Sequence, residues 1–153
     1  LFLPFARSGL LRVMLWYYFF LSARLWVIPA ERMKAGREHR IPLSDAAVAL
    51  LRQQEQVLLA GVNLVFPSVR DHKPLSDMTL TAVLRRMQRN DLTVHGFRST
   101  FRDWAAEATD YPQEMAEMAL AHVVSNKVEA AYRRGDMLEK RREMMQKWAE
   151  FIL

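Results

Sequence analysis

Apolar positions along this chain follow two periods, and each period marks a different kind of element. Leu10 to about Tyr18 reads as the closing part of a first helix. Leu25 to Pro29 and His39 to Leu43 alternate on either side of Lys34-Ala35-Gly36, which predicts a β-hairpin. Leu43 and Ser44 offer a staple and an N-cap for a helix to about Ala60, with Gly61 as its stop signal. Val65-Phe66-Pro67 reads as a brief extended piece. Ser76 predicts a capped helix through Arg89, with Leu80, Val83, Leu84 and Met87 on one face. The next helix begins near His95 or Gly96 and carries Phe97, Phe101, Trp104 and Ala105 at three-and-four spacing. Pro112 opens a short helix to about Ala121. Ser125 or Asn126 caps a helix containing Tyr132, and Gly135 breaks it. A last helix runs from about Leu138 to the end, with Leu138, Met145, Trp148 and Ile152 along one stripe. The pattern is mainly α with a small antiparallel β-hairpin, an α+β fold.

Composition narrows this picture. The 153 residues fit one domain, and 51% hydrophobic with 25% charged is a globular balance. Without cysteine, neither a disulfide framework nor a thiolate metal site can form. No carboxylate pair stands at metal-ligand spacing. A net charge of +5 favours a polyanionic partner. Val13 to Leu21 (VMLWYYFFL) is an unbroken apolar run between Arg12 and Ser22-Ala23. It is too short to span a bilayer and has two readings, a signal-peptide core or a buried helix end leading into a strand. The second fits the rest of the chain. His39 and His72 read as exposed strand and loop residues with no role.

Two local patterns carry chemistry. His95-Gly96-Phe97-Arg98 sets an imidazole and a guanidinium three residues apart on one face of a helix start, where free N–H groups attract anions. Leu120-Ala121-His122 is followed ten residues later by Tyr132, within KVEAAYRRGD at 127–136. Taken singly, each has a plainer reading: a solvated helix face for the first, a core tyrosine for the second. Lys34 beside Gly36 is, taken alone, an ordinary charged turn residue, and Arg7 an ordinary surface arginine.

In combination they are more specific. HGFRSTFRDWAAE (95–107), LAH (120–122) and EAAYRRGD (129–136) follow one another in the order and spacing of the tyrosine recombinases, and the chain closely resembles the integrases of phages and genomic islands in that family. AERMKAGREHRIPLS (30–44) is similar to the family's β-hairpin, and Ala6-Arg7-Ser8-Gly9-Leu10-Leu11-Arg12 to the segment holding its first arginine. The resemblance implies a catalytic set of Arg7, Lys34, His95, Arg98, His122 and Tyr132. Tyr132 would attack the scissile phosphodiester, leaving a 3′-phosphotyrosyl bond and a free 5′-hydroxyl. Arg7 and Arg98 would neutralise the transition state, so that neither metal nor cofactor is expected, and His122 would donate a hydrogen bond to the same oxygens. Lys34 would protonate the departing 5′-oxygen, and His95 would accept the tyrosine proton or orient a neighbour.

The chain also departs from the family's pattern, with Leu10 where glutamate is usual, Pro4-Phe5 where Thr-Gly is usual, and apolar residues at Tyr17-Tyr18-Phe19-Phe20. The expectation is a single catalytic domain over 1–153, truncated at its N-terminus and lacking the family's N-terminal DNA-gripping domain. Its expected partners are double-stranded DNA and further copies of itself on that DNA, a synaptic tetramer in the full-length protein. The expected setting is the cytoplasm, with no membrane contact. The final helix, with Trp148, Phe151, Ile152 and Leu153, either docks on a neighbouring protomer or packs back on its own domain. Two competing readings are a non-catalytic DNA-binding remnant of a decayed integrase and a secreted or membrane-anchored protein whose first 22 residues are a targeting segment. Type IB topoisomerases share the chemistry, but the spacing of LAH before Tyr132 favours a recombinase.

Overall fold

The computed structural model describes residues 5–6, 8–58, 60–122 and 135–153. Among them the α-helices are α1 (Ser8–Arg12), α2 (Asp45–Glu55), α3 (Thr79–Arg86), α4 (Gly96–Glu107), α5 (Gln113–Ala119) and α6 (Leu138–Ile152). The strands are β1 (Phe19–Phe20), β2 (Leu25–Ile28) and β3 (His39–Pro42). The helix containing Tyr132 and its cap at Ser125 or Asn126 lie outside the described residues.

The expected hairpin is present and carries a third strand. The sheet runs in the order β1-β2-β3, antiparallel throughout. In the register Trp26↔Ile41 and Ile28↔His39, the two-residue period puts all four side chains on the buried face. His39 is therefore a core residue and not the exposed strand residue expected. It shares its face with Ile41, two positions on. His72 is exposed, as expected.

The apolar run leads into a strand as expected, but its first half does not continue the expected helix. α1 stops at Arg12, and a 3-10 turn at Trp16–Tyr18 leads into β1. Backbone pairing across the chain replaces helical bonds here, with Val65 N donating to Met14 O and Trp16 N to Asn63 O, both at 2.9 Å. Aromatic side chains pack well in such an extended run, and Phe19 stacks on Trp26 at 5.1 Å. Val65 thus belongs to the extended stretch expected there.

Two helices are shorter than their sequence patterns. Ser44 caps α2 as expected, its Oγ accepting from Ala47 N at 3.3 Å. α2 nevertheless ends at Glu55, because Val57 and Leu58 beyond it are exposed and no packing rewards another turn. α3 begins at Thr79, three residues after Ser76, and closes before Arg89. There Gln88 adopts φ 59° and Arg89 N donates to Leu84 O, a left-handed stop made without glycine.

α4 and α6 supply the centre of the core. Phe101 and Trp148 meet edge-on at 5.3 Å, and Trp104 lies 5.2 Å from Trp148. Phe5 closes on Phe101 at 4.8 Å. Burying one such ring is worth about 1.5–3 kcal/mol. Trp148 thus packs within its own domain, while Phe151, Ile152 and Leu153 remain exposed. No helix among the described residues is long and apolar enough to cross a membrane.

Candidate active site

An open cleft of about 730 Å³ lies where the β2–β3 turn approaches the C-terminal end of α5. Arg32, Lys34, Arg98, Glu117 and His122 line it, with Ala6, Gly9 and Leu10 along one edge. Three permanent cations and an imidazole against one carboxylate make this a receptor for an anion.

Local structure accounts for each placement. Arg98 is the third residue of α4, whose start is held by Thr93: its carbonyl and its Oγ1 both accept from Gly96 N at 3.0 Å. A Cβ at Gly96 would meet that Oγ1 at 3.1 Å, tighter than ordinary contact. The Arg98 guanidinium is buried and donates from Nη2 to Leu120 O, a carbonyl left open at the end of α5. Lys34 is exposed in a turn that Gly36 permits by adopting φ 61°, with Gly36 N donating to Met33 O. His122 follows Ala121, whose φ of 53° closes α5: Ala121 N donates to Met118 O and His122 N to Glu117 O.

Lys34, Arg98 and His122 come from three separate stretches of chain, and the fold brings them to one cleft. His95 is exposed at the N-cap of α4 and is not among the cleft's lining residues. Arg7 and Tyr132 lie outside the described residues, although Ala6 and Gly9 on either side of Arg7 line the cleft. No group of three or more His, Cys, Asp or Glu side chains among the described residues could hold a metal ion.

An ion cluster joins β3 to the start of α6. Arg40 grips Asp136 through two parallel bonds of 2.8 Å, from Nε to Oδ2 and from Nη2 to Oδ1. Arg141, 1% exposed, donates from Nε to Asp136 O at 2.8 Å and from Nη2 to Oδ2 at 3.2 Å. Burial opposes the charge on Asp136, but Arg40 and Arg141 outweigh it and hold the carboxyl below its usual range. His39 sits among these charges with a bond to the backbone of Ala119. Its burial first, then the neighbouring Arg141, lower its pKa to about 4, so the ring is neutral at pH 7.

The sequence from residue 7 to residue 139 matches the model of the phage integrase family. The chain belongs to that family. Prophage integrase IntA of Escherichia coli (strain K12) is 41% identical over 133 residues, covering 86% of this chain and 32% of that protein. The integrase of Enterobacteria phage P4 is 35% identical, covering 98% of this chain and 38% of its own length. The integrase of Shigella phage Sf6 is 31% identical over 95% of this chain, again 38% of its own length. The chain thus spans about a third of each of these relatives. No solved structure matches it.

Within this integrase-family chain, reasoning from sequence left out Glu117, Asp136, Arg141 and His39. Arg141 had a readable signal, since it sits on the same helical stripe as Leu138, Met145 and Trp148 and so had to be a buried charge. Glu117 had none, because a glutamate five residues before a histidine meets it only through the turn at Ala121. Leu10, where the family usually carries glutamate, lies on the cleft edge as an apolar surface.

Proposed function

We propose that this chain is the catalytic domain of a site-specific DNA recombinase, which integrates or excises a mobile element by cutting and rejoining DNA through a 3′-phosphotyrosyl intermediate. The observation that carries the reading is the convergence of Lys34, Arg98 and His122 on one cationic cleft. Family membership and a single hydrophobic core spanning the described residues support it.

In this mechanism the Tyr132 phenol oxygen attacks phosphorus, the bond from phosphorus to the 5′-oxygen breaks, and a 3′-phosphotyrosine remains. The bond energy is stored in the protein, so the strands rejoin by attack of a 5′-hydroxyl with no nucleotide consumed. Arg7 and Arg98 would carry the charge on the non-bridging oxygens, since a guanidinium stays protonated and bonds two oxygens at once. His122 would donate to the same oxygens. Lys34 would give its proton to the departing 5′-oxygen, and its exposed place on a turn suits a group that follows the substrate. Tyrosine titrates near pH 10, so its proton needs an acceptor; from its exposed place at the start of α4, outside the cleft lining, His95 would take that proton or orient a neighbour. Double-stranded DNA is the substrate, and Phe151, Ile152 and Leu153 offer an exposed apolar surface for self-association on it.

The test is a nicked suicide duplex bearing the element's own attachment site, incubated with the protein in its natural full length. A covalent protein–DNA band is expected, and none with Tyr132→Phe. Arg98→Ala should slow the band's appearance by about a hundredfold or more, as loss of one oxyanion donor does elsewhere. DNA binding without a covalent band from the unaltered protein would refute the proposal and favour a DNA-binding remnant.

A further inference from the structure

His122 is fixed twice by the same residue. Its backbone N–H donates to Glu117 O at 2.9 Å, and its Nδ1 is hydrogen-bonded to Glu117 Oε2. Glu117 is itself held from α4, its Oε1 pairing with Arg102 Nε at 2.9 Å. Its carboxylate is thus clasped between a guanidinium and the imidazole at the cleft wall.

We infer that Glu117 is a positioning residue for His122, fixing the ring and making its protonated form the working one. The inference rests on the cleft being the DNA-cleavage site. An ionised carboxylate only accepts hydrogen bonds, so the ring nitrogen facing it must bear a proton. With one proton on Nδ1, a neutral imidazole leaves Nε2 bare. A bare nitrogen repels a phosphate oxygen. Donation from Nε2 therefore needs the second proton, that is, an imidazolium. Arg32, Lys34 and Arg98 line the same cleft and oppose that added charge, while Arg102 reaches His122 only through Glu117. Glu117 is the carboxylate of the cleft lining that offsets them.

The sharpest variant is Glu117→Gln, whose amide oxygen can still accept from Nδ1 but carries no charge. In the full-length protein on the suicide duplex, the readout is the rate of adduct formation by E117Q at saturating DNA. The variant should cleave roughly tenfold more slowly near pH 7.5, with a pH–rate profile displaced from that of the unaltered protein. Glu117→Ala, which loses the orienting bond as well, should cleave more slowly still. Nitrogen-15 NMR of the unaltered protein gives a reading that depends on no variant: neutral His122 should hold its proton on Nδ1. A proton on Nε2, or an E117Q cleavage rate and pH profile matching the unaltered protein, would overturn the role of Glu117 alone. Absence of any adduct from the unaltered protein on bound DNA would overturn the reading of the cleft, and this inference with it.

Discussion

His39 shows how a single side chain couples the core to pH. Its folded pKa of about 4 lies below the usual 6.5, so the folded state resists protonation more than the unfolded chain does. Between those values the unfolded chain binds more protons. The stability His39 contributes is therefore complete above pH 6.5 and is lost as the pH falls toward 4. The loss should be on the order of 3 kcal/mol. Urea midpoints measured at pH 7 and pH 4.5 should differ markedly for the unaltered protein and much less for His39→Gln. Equal shifts in both would show that other groups set the acid limit. The burial itself was legible in the alternation of β3, where His39 and Ile41 share a parity, but a histidine flanked by Glu38 and Arg40 looks polar when read alone.

Helix ends do much of the positioning at the element scale. α5 stops at an alanine in the left-handed region, which costs a non-glycine residue about 1–2 kcal/mol, partly returned through the less flexible unfolded chain. Ala121→Gly should therefore raise stability by about 0.5–1 kcal/mol in thermal melts, and a loss would show that the Ala121 methyl packs usefully. The junction leading into α6 works through charge instead. Asp136→Ala would leave Arg141 buried without its carboxylate. The cost should be about 2–3 kcal/mol, below that of a fully buried pair because Asp136 is about one-third exposed. A change under about 0.5 kcal/mol by urea unfolding would mean the cluster is ornamental. Helix existence was legible from the apolar period for α2 to α6, and Ser44 marked its cap correctly. Several ends were legible as well, since α4 starts at Gly96, α5 opens after Pro112 and stops two residues short of Ala121, and α6 starts at Leu138. α2 and α3 instead stop earlier than their patterns, α3 beside a left-handed Gln88 that carries no stop signal. The first apolar run leads into a strand as its sequence implies, but α1 stops at Arg12, because the run's partner, the stretch at 63–65, is distant in sequence.

For the whole molecule, the excess of basic groups and the cationic cleft lead to one behaviour on DNA. Phosphate contacts displace counterions, so affinity should fall linearly with log salt at a slope near −0.9 for each phosphate neutralised. Fluorescence anisotropy on a duplex should show at least about a tenfold weakening between 50 and 200 mM salt, and a flat response would contradict a phosphate-led contact. The candidate site was legible in part. Lys34, Arg98 and His122 could be named from motif spacing, yet their meeting in space depended on the sheet and on the turn after α5. Glu117 could be recognised only once that turn was known.

The most direct test of the account is to find which side chain carries the DNA. Covalent adduct from the full-length protein would be digested with nuclease and trypsin and the nucleotide-bearing peptide sequenced by mass spectrometry. Cleavage after Lys127 and Arg133 leaves residues 128–133 as one peptide, with Tyr132 as its tyrosine. The phosphonucleotide is expected on Tyr132. Its appearance on Tyr17, Tyr18 or Tyr111, or on a serine, would contradict the proposed chemistry at its first step.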